Sequence, residues 1–167
     1  MGFEKKRLQE GFFVDRFKVR IGVIGISSGA GESFVAGGLN YYLNEKDAPK
    51  VFVSKPEKYE IIDGPSDLTD LDVIVGVIDP LPSRMEEGAP RFAVLSQRDN
   101  VIWLVNKDNP GVNHRELRGF LELEPSFSQE ALPYEKICRA GYNCEKVPEM
   151  YELTGIEKLA DHIRKLC

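Results

Sequence analysis

Two runs in this chain, Val73-Ile-Val-Gly-Val-Ile78 and Val101-Ile-Trp-Leu-Val105, are apolar at every position rather than at alternate ones. A strand with one face in water alternates; a strand apolar throughout is covered on both faces, as happens when helices flank a parallel sheet. Val19 to Ile26 and Val51 to Val53 are further strand candidates, and a long polar connection, residues 54–72, holds a short edge-strand candidate at Glu60 to Asp63. Amphipathic stretches separate these runs. The alternation predicts an α/β fold: a three-layer α/β/α sandwich around a mostly parallel sheet, with the two fully apolar runs at its centre. At 167 residues and 42% hydrophobic side chains the chain has material for one core, so a single domain over residues 1–167 is expected, with residues 1–18 packing on it as an N-terminal extension.

Helix candidates lie between the strands. In Glu32 to Glu45, residues Val35, Leu39, Tyr42 and Leu43 fall on one stripe; Gly37 and Gly38 within it are expected to let the helix approach the sheet. Arg91 to Gln97 and His114 to Leu123 follow. The last helix opens with Thr154-Gly-Ile-Glu157, a capping-box pattern, and carries Ile156, Leu159, Ala160, Ile163 and Leu166 on one face. Its polar face mixes Glu157 and Asp161 with Lys158, Arg164 and Lys165, which predicts docking on the core rather than on a membrane.

Charge narrows the function classes. Lys+Arg 22 against Asp+Glu 27 gives a net charge of -5, which argues against a nucleic-acid binder. No stretch reaches the roughly 18 to 20 apolar residues of a membrane span, and the start has no signal-peptide core, so no stable membrane insertion and a cytoplasmic location are expected. Cys138, Cys144 and Cys167 form no CxxC pair and are expected to be reduced structural thiols. His114 is expected at a helix start in a surface or capping role, and Trp103 in the core.

The chemistry-bearing segment is Ile21-Gly-Val-Ile-Gly-Ile-Ser-Ser-Gly-Ala-Gly-Glu-Ser33, which runs from a buried strand through a Gly/Ser-rich turn into a helix. There the backbone N–H groups of the turn and of the helix start converge on one spot, a ready anion site. Ser27-Ser-Gly-Ala-Gly-Glu-Ser33 resembles the deviant Walker A loop of the ParA/MinD family of P-loop ATPases, Lys-Gly-Gly-x-Gly-Lys-[ST]. The resemblance implies a reduced P-loop NTPase-like fold with a nucleotide or anion site at Ser27, Ser28, Gly29, Ala30, Gly31, Glu32 and Ser33. It sets Ser33 on the magnesium-binding hydroxyl, Ser27 on the signature lysine that crosses the dimer interface, and Glu32 on the phosphate-gripping lysine. Asp79, ending Val73 to Ile78, matches the acid near metal and attacking water, so Ser33 and Asp79 are the implied metal ligands if Mg-nucleotide binds. Asn106, with Lys107 beside it, matches the base-holding asparagine, and Leu132-Pro-Tyr-Glu matches the family's Ile-Pro-Tyr-Asp. No cofactor is certain; ATP or ADP with Mg is the one implied. Relatives act as nucleotide-gated dimers, so a protein partner or a homodimer is implied as well.

Glu32 sets the expected chemistry. A unit charge about 4 Å from another interacts by roughly 4 kcal/mol at an effective dielectric near 20, so replacing lysine by glutamate opposes triphosphate binding. At the first turn of a helix the same glutamate complements the dipole by about 0.3 to 1 kcal/mol. The expectation is a degenerate ParA/MinD-like domain, without ATP hydrolysis, acting as a regulatory or protein-binding module. Two alternatives stand beside it. One is an NAD(P)-binding Rossmann-type oxidoreductase, from Gly25-Ile-Ser-Ser-Gly-Ala-Gly31 and a Tyr42-x3-Lys46 spacing that lies too early in the chain. The other is an active ATPase with an unconventional loop, drawing its cation from Lys55 or Lys107, the latter within an Asn106-Lys-Asp-Asn109 segment that approaches the guanine-reading motif of GTPases.

Overall fold

The computed structural model describes residues 18–48 and 58–167. Five parallel strands form one sheet in the order β2-β1-β3-β4-β5: β1 is Val19–Gly25, β2 Tyr59–Asp63, β3 Val73–Ile78, β4 Val101–Asp108 and β5 Phe127–Glu130. The helices are α1 (Glu32–Asn40), α2 (Pro82–Leu95), α3 (His114–Leu121), α4 (Tyr134–Tyr142), α5 (Val147–Met150) and α6 (Thr154–Leu166), and a single π-helical turn, Tyr41–Glu45, continues α1.

Successive side chains on a strand face opposite ways, so each interior strand feeds two cores. Ile21, Val23, Val73, Val75, Val77 and Leu104 pack under α1 and α6 through Val35, Leu39, Ile156, Leu159 and Ile163. Ile24, Ile74, Ile78, Trp103 and Val105 pack on the other face under α2 and α3 through Met85, Leu95, Leu117 and Leu121. This is the expected three-layer sandwich, with β3 buried along its whole length at the middle of the sheet. The edge-strand candidate at Glu60 to Asp63 is β2; Val51 to Val53, Lys55 and residues 1–17 lie outside the described residues.

Three expectations are corrected. The helix expected from Arg91 begins at Pro82, whose fixed φ suits the first helical position. Its interior Pro90 is exposed, so the Glu86 carbonyl left without an N–H partner can turn to water. The expected capping box on Thr154 is absent: Leu153 occupies the N-cap position of α6 with no side-chain bond, and the buried Gln129 of β5 accepts the Ile156 N–H through Oε1 at 3.1 Å. Gly37 is exposed, and Gly38 lies against Ile156 and Leu153 on α6 rather than against the sheet. Docking of α6 on the core is observed, with Leu166 alone of its expected apolar face exposed.

Gly155 is where α6 meets β5 most closely: a β-carbon there would stand 2.0 Å from the Ser128 carbonyl oxygen and 2.8 Å from the Gln129 Cα. Neither backbone atom has a rotamer to escape through. We therefore expect Gly155→Ala to lower unfolding free energy in urea by about 1 to 3 kcal/mol despite alanine's better helix propensity. Gly119→Ala on α3, where a β-carbon meets nothing within 4 Å, should be neutral or stabilising by up to about 1 kcal/mol.

Candidate functional site at the C-terminal edge of the sheet

Because every strand is parallel, the residues that follow β1, β2, β3 and β4 all emerge at one edge, where open α/β sheets bind ligands. The loop after β1 reaches α1 through two left-handed glycines, Gly29 at φ 67° and Gly31 at φ 88°, the latter being the N-cap position of α1. A β-carbon on Gly31 would also stand 2.4 Å from the Asn106 amide nitrogen, so this glycine is needed for contact as well as for backbone shape.

The expected residues do come together, but largely by bonding to each other. Asn106 is buried and donates through Nδ2 to the Ala30 carbonyl at 2.9 Å, which commits its amide to the loop. Lys107 adopts a left-handed backbone, φ 58°, and reaches back so that Nζ donates to the Gly29 carbonyl and to Asp79 Oδ2, the latter at 2.9 Å. The other oxygen of Asp79 accepts the Leu81 N–H at 3.1 Å. Asn109, at the guanine-reading position, is held by its own turn, donating to the Lys107 carbonyl and accepting from the Gly111 N–H.

Glu32 does not swing away into water. Its carboxylate folds back over the end of β1, so close that a β-carbon on Gly25 would lie 2.6 Å from Oε2. Ser33 donates its hydroxyl to Asp63 Oδ2 at 2.6 Å. Ser27 is buried and its hydroxyl oxygen has no partner, while Ser28 and Gly29 are exposed at the loop tip.

Sequence reasoning missed four participants. Asp63 arrives because β2 runs parallel to β1 with Asp63 opposite Val23. Arg84, Glu87 and Arg91 come from α2, whose first turns were not expected to be helical. Their i, i+3, i+7 spacing was the available signal. Glu87 Oε1 accepts the Ser28 N–H at 2.8 Å and Oε2 pairs with Arg84 at 2.8 Å; Arg84 also donates to Ser28 Oγ at 2.6 Å, and Arg91 to the Gly25 carbonyl at 2.9 Å.

Bonding of the Glu87 carboxylate to the Ser28 backbone N–H, reinforced by the Ser28 hydroxyl and Arg84, holds its pKa down at about 2 against an ordinary 4.5. A carboxyl whose folded-state pKa is depressed contributes stability above its unfolded value, and loses it as pH falls through the folded one. The stability this contact contributes should therefore be fully present above pH 4.5 and be lost as pH falls from there to about 2. A carbon-detected NMR titration of the Glu87 side chain is expected to show its midpoint near that lower figure.

The Tyr42-x3-Lys46 pair has an ordinary structural role. The Tyr42 hydroxyl accepts the Leu153 N–H at 2.9 Å and Lys46 pairs with Glu157, so both tie the first helical segment to α6. His114 is the first residue of α3, behind the capping Asn113, and its Nε2 stands 3.1 Å from Asp108 Oδ1. Trp103 is core, its ring tilted at 40° against that of Phe92 with centroids 4.5 Å apart. The three cysteines are free thiols, with Cys144 and Cys167 exposed rather than buried in the core. Among the described residues no group of His, Cys, Asp and Glu is placed to hold a metal ion, and no helix is long and apolar enough to cross a membrane.

Comparison with solved structures decides the fold. A ParA family ATPase from Chlorobium tepidum superposes with a TM-score of 0.67 at 11% identity, covering 87% of this chain and 99% of that one. The chain has the fold of the ParA and MinD ATPases. A chain of the MinC:MinD cell division complex of Aquifex aeolicus gives a TM-score of 0.68 at 10% identity, over 87% of this chain and 96% of that one. The cell division ATPase MinD of Pyrococcus furiosus gives 0.61 at 12% identity, over 89% and 99%. No family model and no curated protein matches the sequence. These structures favour the P-loop ATPase fold over the Rossmann alternative.

The Lys107–Asp79 pair can be measured directly. The ammonium is half exposed and Asp79 is buried, so solvent screening limits what the pair contributes. In a double-mutant cycle of Lys107→Met and Asp79→Asn read by urea unfolding, we expect a coupling of about 0.5 to 1 kcal/mol, with Lys107→Met alone the more damaging single change because it strands a buried carboxylate.

Proposed function

We propose that this chain is a ParA/MinD-type domain that does not hydrolyse ATP and works as a regulatory, protein-binding module. The observation that carries the reading is the position of Glu32: its carboxylate lies against Gly25, where the loop leaves β1. A triphosphate seated there would meet a negative charge at close range, and phosphoryl transfer depends on the opposite sign at that point.

Mg-nucleotide does not fit the residues as they stand. Ser33 and Asp79 are the side chains that would offer oxygen to a magnesium ion, but Ser33 is bonded to Asp63 and Asp79 is neutralised by Lys107. The amide of Asn106, the candidate for holding a base, is bonded to Ala30. The role assigned here to the residues 27–33, Asp79, Asn106 and Lys107 is therefore to keep a fixed loop rather than to bind and release a nucleotide. With serine at position 27, a dimer of this chain would form without nucleotide, since the lysine that would reach across to a partner's phosphates is missing. A protein partner is the expected ligand, and one matched structure is a MinC:MinD complex.

Lys107 favours one competing reading, because it does bring a cation to the loop. On that reading it would grip phosphate in place of Glu32. Isothermal titration of the full chain with ATP and magnesium separates the two. We expect no binding tighter than about millimolar, a free energy near 4 kcal/mol, and no phosphate release. Micromolar binding with turnover abolished by Ser33→Ala, Asp79→Ala or Lys107→Ala would establish the ATPase instead.

A further inference from the structure

The face of α2 turned toward the glycine loop is one stripe: Arg84, Glu87, Gly88 and Arg91, at i, i+3, i+4 and i+7. Every member touches the loop segment 25–28. Arg84 bonds the Ser28 hydroxyl, Glu87 the Ser28 N–H and Arg91 the Gly25 carbonyl. Gly88 brings the helix backbone down onto Ile26: a β-carbon there would lie 2.8 Å from Ile26 Cγ1 and 3.0 Å from its carbonyl oxygen. The neighbouring Glu86 is exposed and takes no part, pairing with no cation among the described residues.

A backbone N–H at the tip of a phosphate-type loop seeks an anionic oxygen, and here it has one from its own chain. We propose that Glu87 is a built-in counter-anion that latches the glycine loop, its carboxylate holding the Ser28 amide that an incoming oxyanion would need. The ligand class it excludes is a polyphosphate. The site beneath the latch is polar and cationic: with Glu87 removed, an oxyanion meets the Ser28 N–H and hydroxyl and the Arg84 guanidinium, all already at the loop. The buried Ser27 hydroxyl, without a partner, is the adjoining group. Arg84 thus has two roles, neutralising Glu87 in the latched state and remaining as the cation in the open one. The inference deepens the non-hydrolysing reading and rests on it, naming what keeps the loop closed to phosphate besides Glu32.

The test is titration of the full chain with inorganic pyrophosphate, without metal, for the unaltered protein and for Glu87→Gln and Glu86→Gln, together with the amide spectrum of Ser28. Both substitutions remove one negative charge from adjacent positions of α2, but only the first takes it from the group bonded to the Ser28 N–H, leaving a weaker neutral acceptor there. We expect Glu87→Gln to tighten pyrophosphate binding by about tenfold or more, the gain to vanish when Arg84→Ala is added, and Glu86→Gln to change it by less than about twofold. The Ser28 amide proton should move upfield in Glu87→Gln and stay in place in Glu86→Gln.

An equal gain in both variants, or unchanged affinity in a Glu87→Gln protein with native circular dichroism, overturns the latch. A Ser28 resonance indifferent to Glu87→Gln does so even if that variant is destabilised. Turnover of Mg-ATP by the unaltered chain would reject the non-hydrolysing reading and leave the pyrophosphate comparison to judge the latch separately; a missing gain would reject the latch and leave that reading standing.

Discussion

Polar backbone groups at the end of a parallel sheet have no strand to pair with, so a loop that turns there through glycines must find partners for its N–H and C=O groups elsewhere. In this chain the partners are side chains of neighbouring segments. Asn106 takes the Ala30 carbonyl, Lys107 the Gly29 carbonyl, Arg91 the Gly25 carbonyl and Glu87 the Ser28 N–H. The loop is thereby pinned from β4 on one side and from α2 on the other. That pinning fixes the start of α1, whose apolar stripe closes one core, and the bearing of α2, whose Met85 and Leu95 close the other.

Each tie alone contributes little. Three of the four are hydrogen bonds with one charged partner at a partly exposed loop, where solvent screening weakens them, and the two apolar cores carry far more of the stability. What the ties supply is geometry. A loop held by four side chains from two segments is fixed in one arrangement, whereas a nucleotide switch needs two arrangements and a ligand with different affinities for them. On the non-hydrolysing reading the surface beside the loop is presented in one state, and binding there does not depend on a cofactor's arrival.

The fold was legible where burial is two-sided. Val73 to Ile78 and Val101 to Val105 announce interior strands because every position in them is apolar, and the stripe Ile156, Leu159, Ala160, Ile163 announces a docked helix. β5 was invisible: Phe-Ser-Gln-Glu has no apolar run, and its importance lies in a buried Gln129 that caps α6 and a backbone that Gly155 allows close. The first turns of α2 were hidden for a different reason. Gly88 and Pro90, inside the helix, depress helix propensity, and tertiary packing overrides it. With those turns went Arg84 and Glu87. The glycine loop, Asp79 and Lys107 were readable from spacing and resemblance, but Asp63 was not. Only the parallel register of β2 beside β1 delivers it to Ser33.

On the non-hydrolysing reading, the balance of charge at the mouth accounts for a loop closed to polyanions although cations stand beside it. Arg84, Arg91 and Lys107 stand within hydrogen-bond distance of the loop, enough in principle to hold a phosphate. Against them stand Glu32, Asp63, Asp79 and Glu87, and the cations are committed: Arg84 to Glu87, Lys107 to Asp79. An incoming polyanion must break these pairs and then face carboxylates that have lost their partners, so each cation it gains uncovers an anion. Lysines in the loop would be spared that penalty, since they would be free to meet phosphate. Pairing, more than the number of positive side chains, is what separates a cradle for nucleotide from a loop that keeps its own ions.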